Sequence, residues 1–160
     1  VPYIYQIVFG VVLVILQVMT SDMLSIGGVL PDFALIFLVW VVIEKGQLKG
    51  ELTGFALGLG LDVLSSGILG SQGLSKAIVG FLLGYFYNED KTNQRLRNWP
   101  FLFFVFVGAA INNLIYYVLF TQARTGFIDY FMERGGLGVL YTTIVSILPL
   151  FYFSRKPRYS

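Results

Sequence analysis

The sequence predicts an all-α integral membrane protein: a compact bundle of six transmembrane helices, with both termini cytoplasmic. Three observations carry that reading. Hydrophobic residues make up 56% of the chain and charged residues only 12%, where a soluble domain carries roughly 25% charged. The charges are also bunched, so that residues 1–21, 98–123 and 135–154 contain no Asp, Glu, Lys or Arg. Uncharged apolar runs of about 18 or more residues read as membrane spans, and a soluble domain of this length has no core to hold three of them. Finally, the basic residues alternate between connections, as the topology of a multi-pass protein requires.

The spans read as residues 4–20, 32–43, 52–64, 71–87, 99–121 and 137–153, and together they form one polytopic domain over residues 1–160. The first lacks the basic flank and small-residue exit of a cleavable signal peptide. The second opens at Pro31, whose missing N–H suits a first helical turn. The second and third are short for a bilayer core of ~30 Å, so they must borrow flanking residues, tilt, or thin the membrane around them. The fifth carries Asn112 and Asn113 near its middle, with Thr142, Thr143 and Ser146 of the sixth as plausible hydrogen-bond partners. Those hydroxyls are equally able to bond back along their own helix. Pro149 should kink the sixth span about one turn earlier, near Val145. Between the last two spans, Phe127, Tyr130 and Phe131 recur at helical spacing, either as a short interfacial helix or as an ordinary loop.

Lys45 and Lys49, then Lys91, Arg95 and Arg97, then Arg155, Lys156 and Arg158 fall on one side of this topology. Only Arg124 and Arg134 fall on the other, and Lys76 lies inside span four. Eight against two places both termini in the cytoplasm by the positive-inside rule. Trp99, Tyr85, Tyr87, Tyr152 and Tyr159 gather near the same face, as an interfacial aromatic belt would.

Span three carries Gly50, Gly54, Gly58 and Asp62 at intervals of four, a single stripe on a helix. Span four repeats the device with Lys76, Gly80 and Gly84. Small stripes let helix backbones approach closely, which is how helices associate where lipid supplies no hydrophobic drive. Asp62 ends one helix near where Lys76 begins the next, so an antiparallel hairpin would hold them at similar depth. An ionisable residue within a span is costly unless it is paired or faces a wet cavity. The expectation is an Asp62–Lys76 pair, or an otherwise hydrogen-bonded Asp62, fixing the hairpin. A partner- or ligand-binding role and simple interfacial exposure are the alternatives.

The chain has no Cys and no His, which removes disulfides, thiolate chemistry, His-ligated metals and a His acid–base. No catalytic constellation, metal-ligand spacing or Walker motif is present, and Gly58-Leu59-Gly60 lacks the strand context and third glycine of a dinucleotide fingerprint. The sequence therefore predicts no enzyme, no cofactor and no metal. A net charge of +2 gives no footprint for a nucleic-acid partner.

Pro31-Asp32-Phe33 before a short span, then Gly54-Phe55 … Gly58 … Asp62, then Gly67-x-Leu69-Gly70, together with Pro149 and a basic tail, resemble the signature of the MreD family of rod-shape proteins. The resemblance is close over residues 31–86 and does not include Lys76. It implies a non-enzymatic multi-pass component of the bacterial cytoplasmic (inner) membrane, working in cell elongation. Its implied partners are the bitopic protein MreC, the filament protein MreB, and the glycosyltransferase and transpeptidase that build lateral peptidoglycan. The family is similar in fold to the substrate-binding S-components of energy-coupling-factor transporters, which gives an alternative: a vitamin-type small-molecule binding and uptake subunit. Such subunits dock their energising module through an Ala-rich face on the first helix, and here the first span has no Ala and only Gly10 as a small residue.

Overall fold

The computed structural model describes residues 2–121 and 126–155, and those residues are helical almost throughout, without a β-strand. Arg124, Lys156, Arg158 and Tyr159 lie outside the described residues. The helices are α1 (Tyr3–Met19), α2 (Ser21–Leu24), α3 (Phe33–Lys45), α4 (Gln47–Leu64), α5 (Ser71–Gly84), α6 (Thr92–Arg97), α7 (Trp99–Tyr116), α8 (Phe127–Tyr130), α9 (Gly136–Val145) and α10 (Ile147–Arg155). A 3₁₀ turn at Glu89–Lys91 precedes α6, and π-helical turns at Tyr117–Thr121 and Phe131–Gly135 follow α7 and α8.

The architecture is organised around α3. Asp32 caps its start, accepting from the Leu35 N–H at 2.9 Å. Its end is set by Gly46 at φ +89°, ψ −173°, backbone that only glycine adopts readily. That one residue reverses the chain directly into α4. Nine of the thirteen α3 residues are buried, because α1, α4, α5, α6 and α7 all pack around it. At 1.5 Å per residue the helix is ~20 Å long, shorter than a bilayer core, and its apolar sequence is consumed by protein rather than lipid. Its Leu35, Leu38, Val39 and Val42 join Val79 and Leu83 of α5 and Phe101, Val105 and Ala109 of α7 in the main core. A second cluster ties Val14 of α1 to Phe37 and Val41 of α3 and to Leu57 and Leu61 of α4.

Two segments are long and apolar enough to cross a membrane: Trp99–Phe120 and Phe127–Tyr152, with the shorter apolar α1 beside them. Only 28% and 22% of those two windows is buried. A core helix of a soluble protein would be mostly covered, so these exposed apolar surfaces fit a lipid environment. Helix boundaries differ most from the sequence reading in two places. α4 begins at Gln47 rather than residue 52, because Gly46 lets it start immediately. The last helical run begins at Phe127 rather than residue 137, with the aromatic segment forming α8 and its π turn. That run is interrupted at Ser146, three residues before Pro149, whose ring carries no N–H to bond the preceding turn.

Candidate functional site

α4 and α5 form the tightest helix pair among the described residues, and glycine on both sides is the reason. Gly84 lies against Gln47, Gly80 against the Gly50 backbone, Gly54 against the Lys76 carbonyl and Gly58 against the Gln72 carbonyl. A Cβ at Gly80 would sit 2.7 Å from Gly50 backbone atoms, and one at Gly54 or Gly58 would strike main chain that has nowhere to go. Gly50 also admits the Val42 side chain of α3. The four contacts run antiparallel along the hairpin like rungs. Phe55 of the signature points away from this seam and is exposed.

Asp62 stands at the closed end of the ladder, and it is 2% exposed. α4 closes with Ser66 at φ +54° and the Gly67 N–H bonded to the Asp62 carbonyl at 3.2 Å. Gly70, at φ +90°, then redirects the chain into α5. The result aims the first turn of α5 at the Asp62 carboxyl group. Its oxygens accept from Gly70 N–H at 3.0 Å, Gln72 N–H at 3.1 Å, Gly73 N–H at 3.3 Å and the Ser71 hydroxyl at 3.0 Å. Asp62 therefore caps α5 from the preceding helix, satisfying donors that a helix start leaves open.

The expected Asp62–Lys76 ion pair is not formed. Lys76 is wholly buried, and its ammonium donates instead to Asp32 at 2.6 Å and to Gln72 Oε1 at 2.8 Å. The reason is geometric. The Asp62 carboxyl group is turned into the start of α5 and is filled by N–H groups, whereas Asp32 stands at the start of α3, which runs parallel to α5. Sequence reasoning missed Asp32 and Gln72 as partners. The signals were present: Gln72 and Lys76 are four apart on one helix, and Asp32 and Lys76 each lie near the start of a span that enters from the same face.

This end of the bundle holds an open cavity of about 340 Å³ lined by residues of α1, α2, α3, α4, α5, α7 and α9. Pro31 and Asp32 form part of its wall, with Gln17, Gln72, Asn112, Asn113 and Thr142. Thr142 Oγ1 accepts from the Asp32 N–H at 3.1 Å, and Gln17 Oε1 from the Ala34 N–H at 3.0 Å, so two further helices steady the start of α3. Asn113 donates to the Gly135 carbonyl at 3.0 Å. Asn112 does not bond to α9, although it is only 4% exposed, and its Oδ1 has no partner. Thr143 and Ser146 bond back to carbonyls of their own helix.

A second hollow of about 670 Å³ runs between α1 and α10 over the floor of α3. Its walls are Tyr5, Phe9 and Leu13 on one side and Val145, Leu148, Pro149 and Tyr152 on the other, with Phe33, Ile36, Phe37 and Trp40 beneath. It is an apolar groove open along the surface of the bundle.

No curated protein and no solved structure matches the chain. The family model of the rod shape-determining protein MreD matches residues 1–155, essentially the whole of the helical bundle just described. An exposed apolar exterior, a glycine-laddered hairpin and that match together make this chain a membrane protein of the MreD family, with a role in rod shape determination.

Proposed function

We propose that this chain is a non-enzymatic scaffold of the cell-elongation machinery: a six-span bundle that binds MreC and so helps organise lateral peptidoglycan synthesis. MreB and the glycosyltransferase–transpeptidase pair would be reached through that complex. The observation that carries the reading is the groove between α1 and α10. It is rimmed by aromatic and aliphatic side chains, and α1 packs on α3 and α4 rather than closing over it. An apolar trough of this kind suits the single transmembrane helix of a bitopic partner.

The proposed orientation, with both termini cytoplasmic, is supported by where the cations gather. α6 touches both α3 and α10, which brings Lys45, Arg95, Arg97 and Arg155 to one end. The Asp62 cap and the 340 Å³ cavity lie at the other end, which would face outward. Membership of the family implies the bacterial inner membrane. The uptake-subunit alternative has less support, because Gly10 faces inward, against Phe37 and Leu57, and leaves no small face on the outside of α1.

The test is photocrosslinking in the native membrane, with benzoylphenylalanine placed at Leu148 in the groove or at Phe103 on the exposed face of α7. MreC captured from position 148 and not from 103 supports the scaffold reading. Capture of an ATPase-coupled transport module, or equal MreC capture from both positions, would overturn it.

A further inference from the structure

The cavity at the α3 and α5 starts has a feature that the scaffold reading does not use. The fold commits one polar atom of several wall residues and leaves the other uncommitted. Gln17 and Gln72 use their Oε1 atoms and keep their amide N–H groups. Thr142 accepts from Asp32 and keeps its hydroxyl hydrogen. Asn113 uses its amide N–H and keeps Oδ1. Asn112 lines the space at 4% exposed, and its Oδ1, sealed beneath the wall, has no partner, so its amide N–H is what it can offer an occupant. Residues with donors and acceptors to spare thus line one hollow, backed by the apolar surface of Leu35, Leu61 and Ala109, the composition expected of a small-molecule pocket.

The chemistry of the occupant follows from charge and volume. Lys76 and Asp32 neutralise one another at 2.6 Å, so the wall offers no net charge to an anion or a cation. Uncommitted carboxamides and a hydroxyl recognise hydroxyl groups, which both give and accept. The volume of about 340 Å³ equals roughly eleven waters at ~30 Å³ each, the size of one sugar ring with its substituents. We propose that the cavity binds an uncharged polyhydroxylated molecule of monosaccharide size, with Asn112 as a recognition residue. The molecule is either free or presented as a lipid headgroup, since the cavity opens at a membrane face.

The test is native mass spectrometry and thermal unfolding of the full chain in a polyoxyethylene detergent, whose headgroup carries no sugar to compete. Glucose, N-acetylglucosamine and myo-inositol probe the free source. Monoglucosyldiacylglycerol against diacylglycerol, in mixed micelles, probes the headgroup source. One saturable adduct from either arm is expected, reduced at least tenfold in Asn112→Leu. Adducts only with the soluble probes assign a free ligand, and preference only for the glucosylated lipid assigns a headgroup. Since the fold uses no bond from Asn112, the variant without ligand should unfold at the wild-type temperature or above it. Asn112→Ala, which adds no bulk, guards against leucine failing to fit. Absence of any adduct, or adducts unchanged in both variants, would leave a water-filled cavity and overturn the proposal. So would a large fall in the unfolding temperature of both variants, which would make Asn112 a structural residue.

Discussion

Removing the Asp62 carboxyl group should be the most damaging single change at its end of the bundle, and the damage can be worked from its partners. Four donors converge on it: three main-chain N–H groups of α5 and the Ser71 hydroxyl. The Ser71 and Gly73 bonds are buried and the Gly70 and Gln72 bonds partly so. A buried donor stripped of its partner costs ~1–3 kcal/mol, and a lost helix cap typically ~1 kcal/mol. Two buried donors, with a smaller share from the two that water can reach, give about 4 kcal/mol for Asp62→Ala. Asp62→Asn keeps one acceptor oxygen but turns an NH₂ toward other donors, and should lose about half as much. The matched reference is Asn112→Ala, which lies at the same end, is equally buried and breaks no bond. Its change should stay within about 1 kcal/mol of wild type. The assay is thermal unfolding in mild detergent followed by size-exclusion fluorescence, with hydrogen exchange across residues 65–75 as a local readout. Asp62→Ala should lower the midpoint clearly and speed exchange at the start of α5. Equal midpoints for Asp62→Ala and Asn112→Ala would refute the capping argument.

Other outcomes follow from the same geometry. Lys76→Met should lose ~3–5 kcal/mol, because it strands Asp32 beside a buried site, while Asp32→Asn/Lys76→Met should recover part of that loss, since Asn still caps α3. The unfolding midpoints of the two variants decide this, and a double variant no better than the single would argue against the pair. Gly58→Ala should push α4 and α5 apart, whereas Gly60→Ala, whose new methyl would meet only Val14 at 3.4 Å, should be tolerated. The chain has no native Cys, so an engineered cysteine pair across the seam reads this directly, and equal crosslinking in both variants would contradict it.

Much of the hairpin was legible in the sequence, because glycine at intervals of four leaves a periodic trace that a helix converts to one face. The partner of Lys76 was not legible in the same way. Sequence spacing ranks contacts within a hairpin above contacts between helices distant in the chain, and Asp32 is 44 residues from Lys76. What decides between Asp32 and Asp62 is carboxyl orientation, fixed by the Ser66, Gly67 and Gly70 turn, which periodicity does not record. The same limit hid the cavity. Its wall draws on helices across the chain, and Gln17, which the sequence does not single out, becomes a wall residue only once α3 is seen to start beside it.

The packing also explains why α3 can be so short and so apolar. In lipid, burying one more leucine brings little, because a tail is as apolar as a core; helices are held by close backbone contact and by polar groups that find partners. The glycine ladder supplies the first, drawing α5 onto α4. The capping of α5 by Asp62, the Asp32–Lys76–Gln72 cluster and the Thr142 and Gln17 bonds supply the second, all at one end. With its start steadied by α1, α5 and α9, α3 needs no contact with the far membrane face. Its opposite end turns at Gly46, where Thr92 Oγ1 donates to the Ile43 carbonyl at 3.2 Å and Gln6 Nε2 to Glu44 at 2.8 Å, and the α1–α10 side stays open. The groove along one side is the surface on which the proposed scaffold role seats a partner helix, and it lies clear of the polar contacts that fix the start of α3.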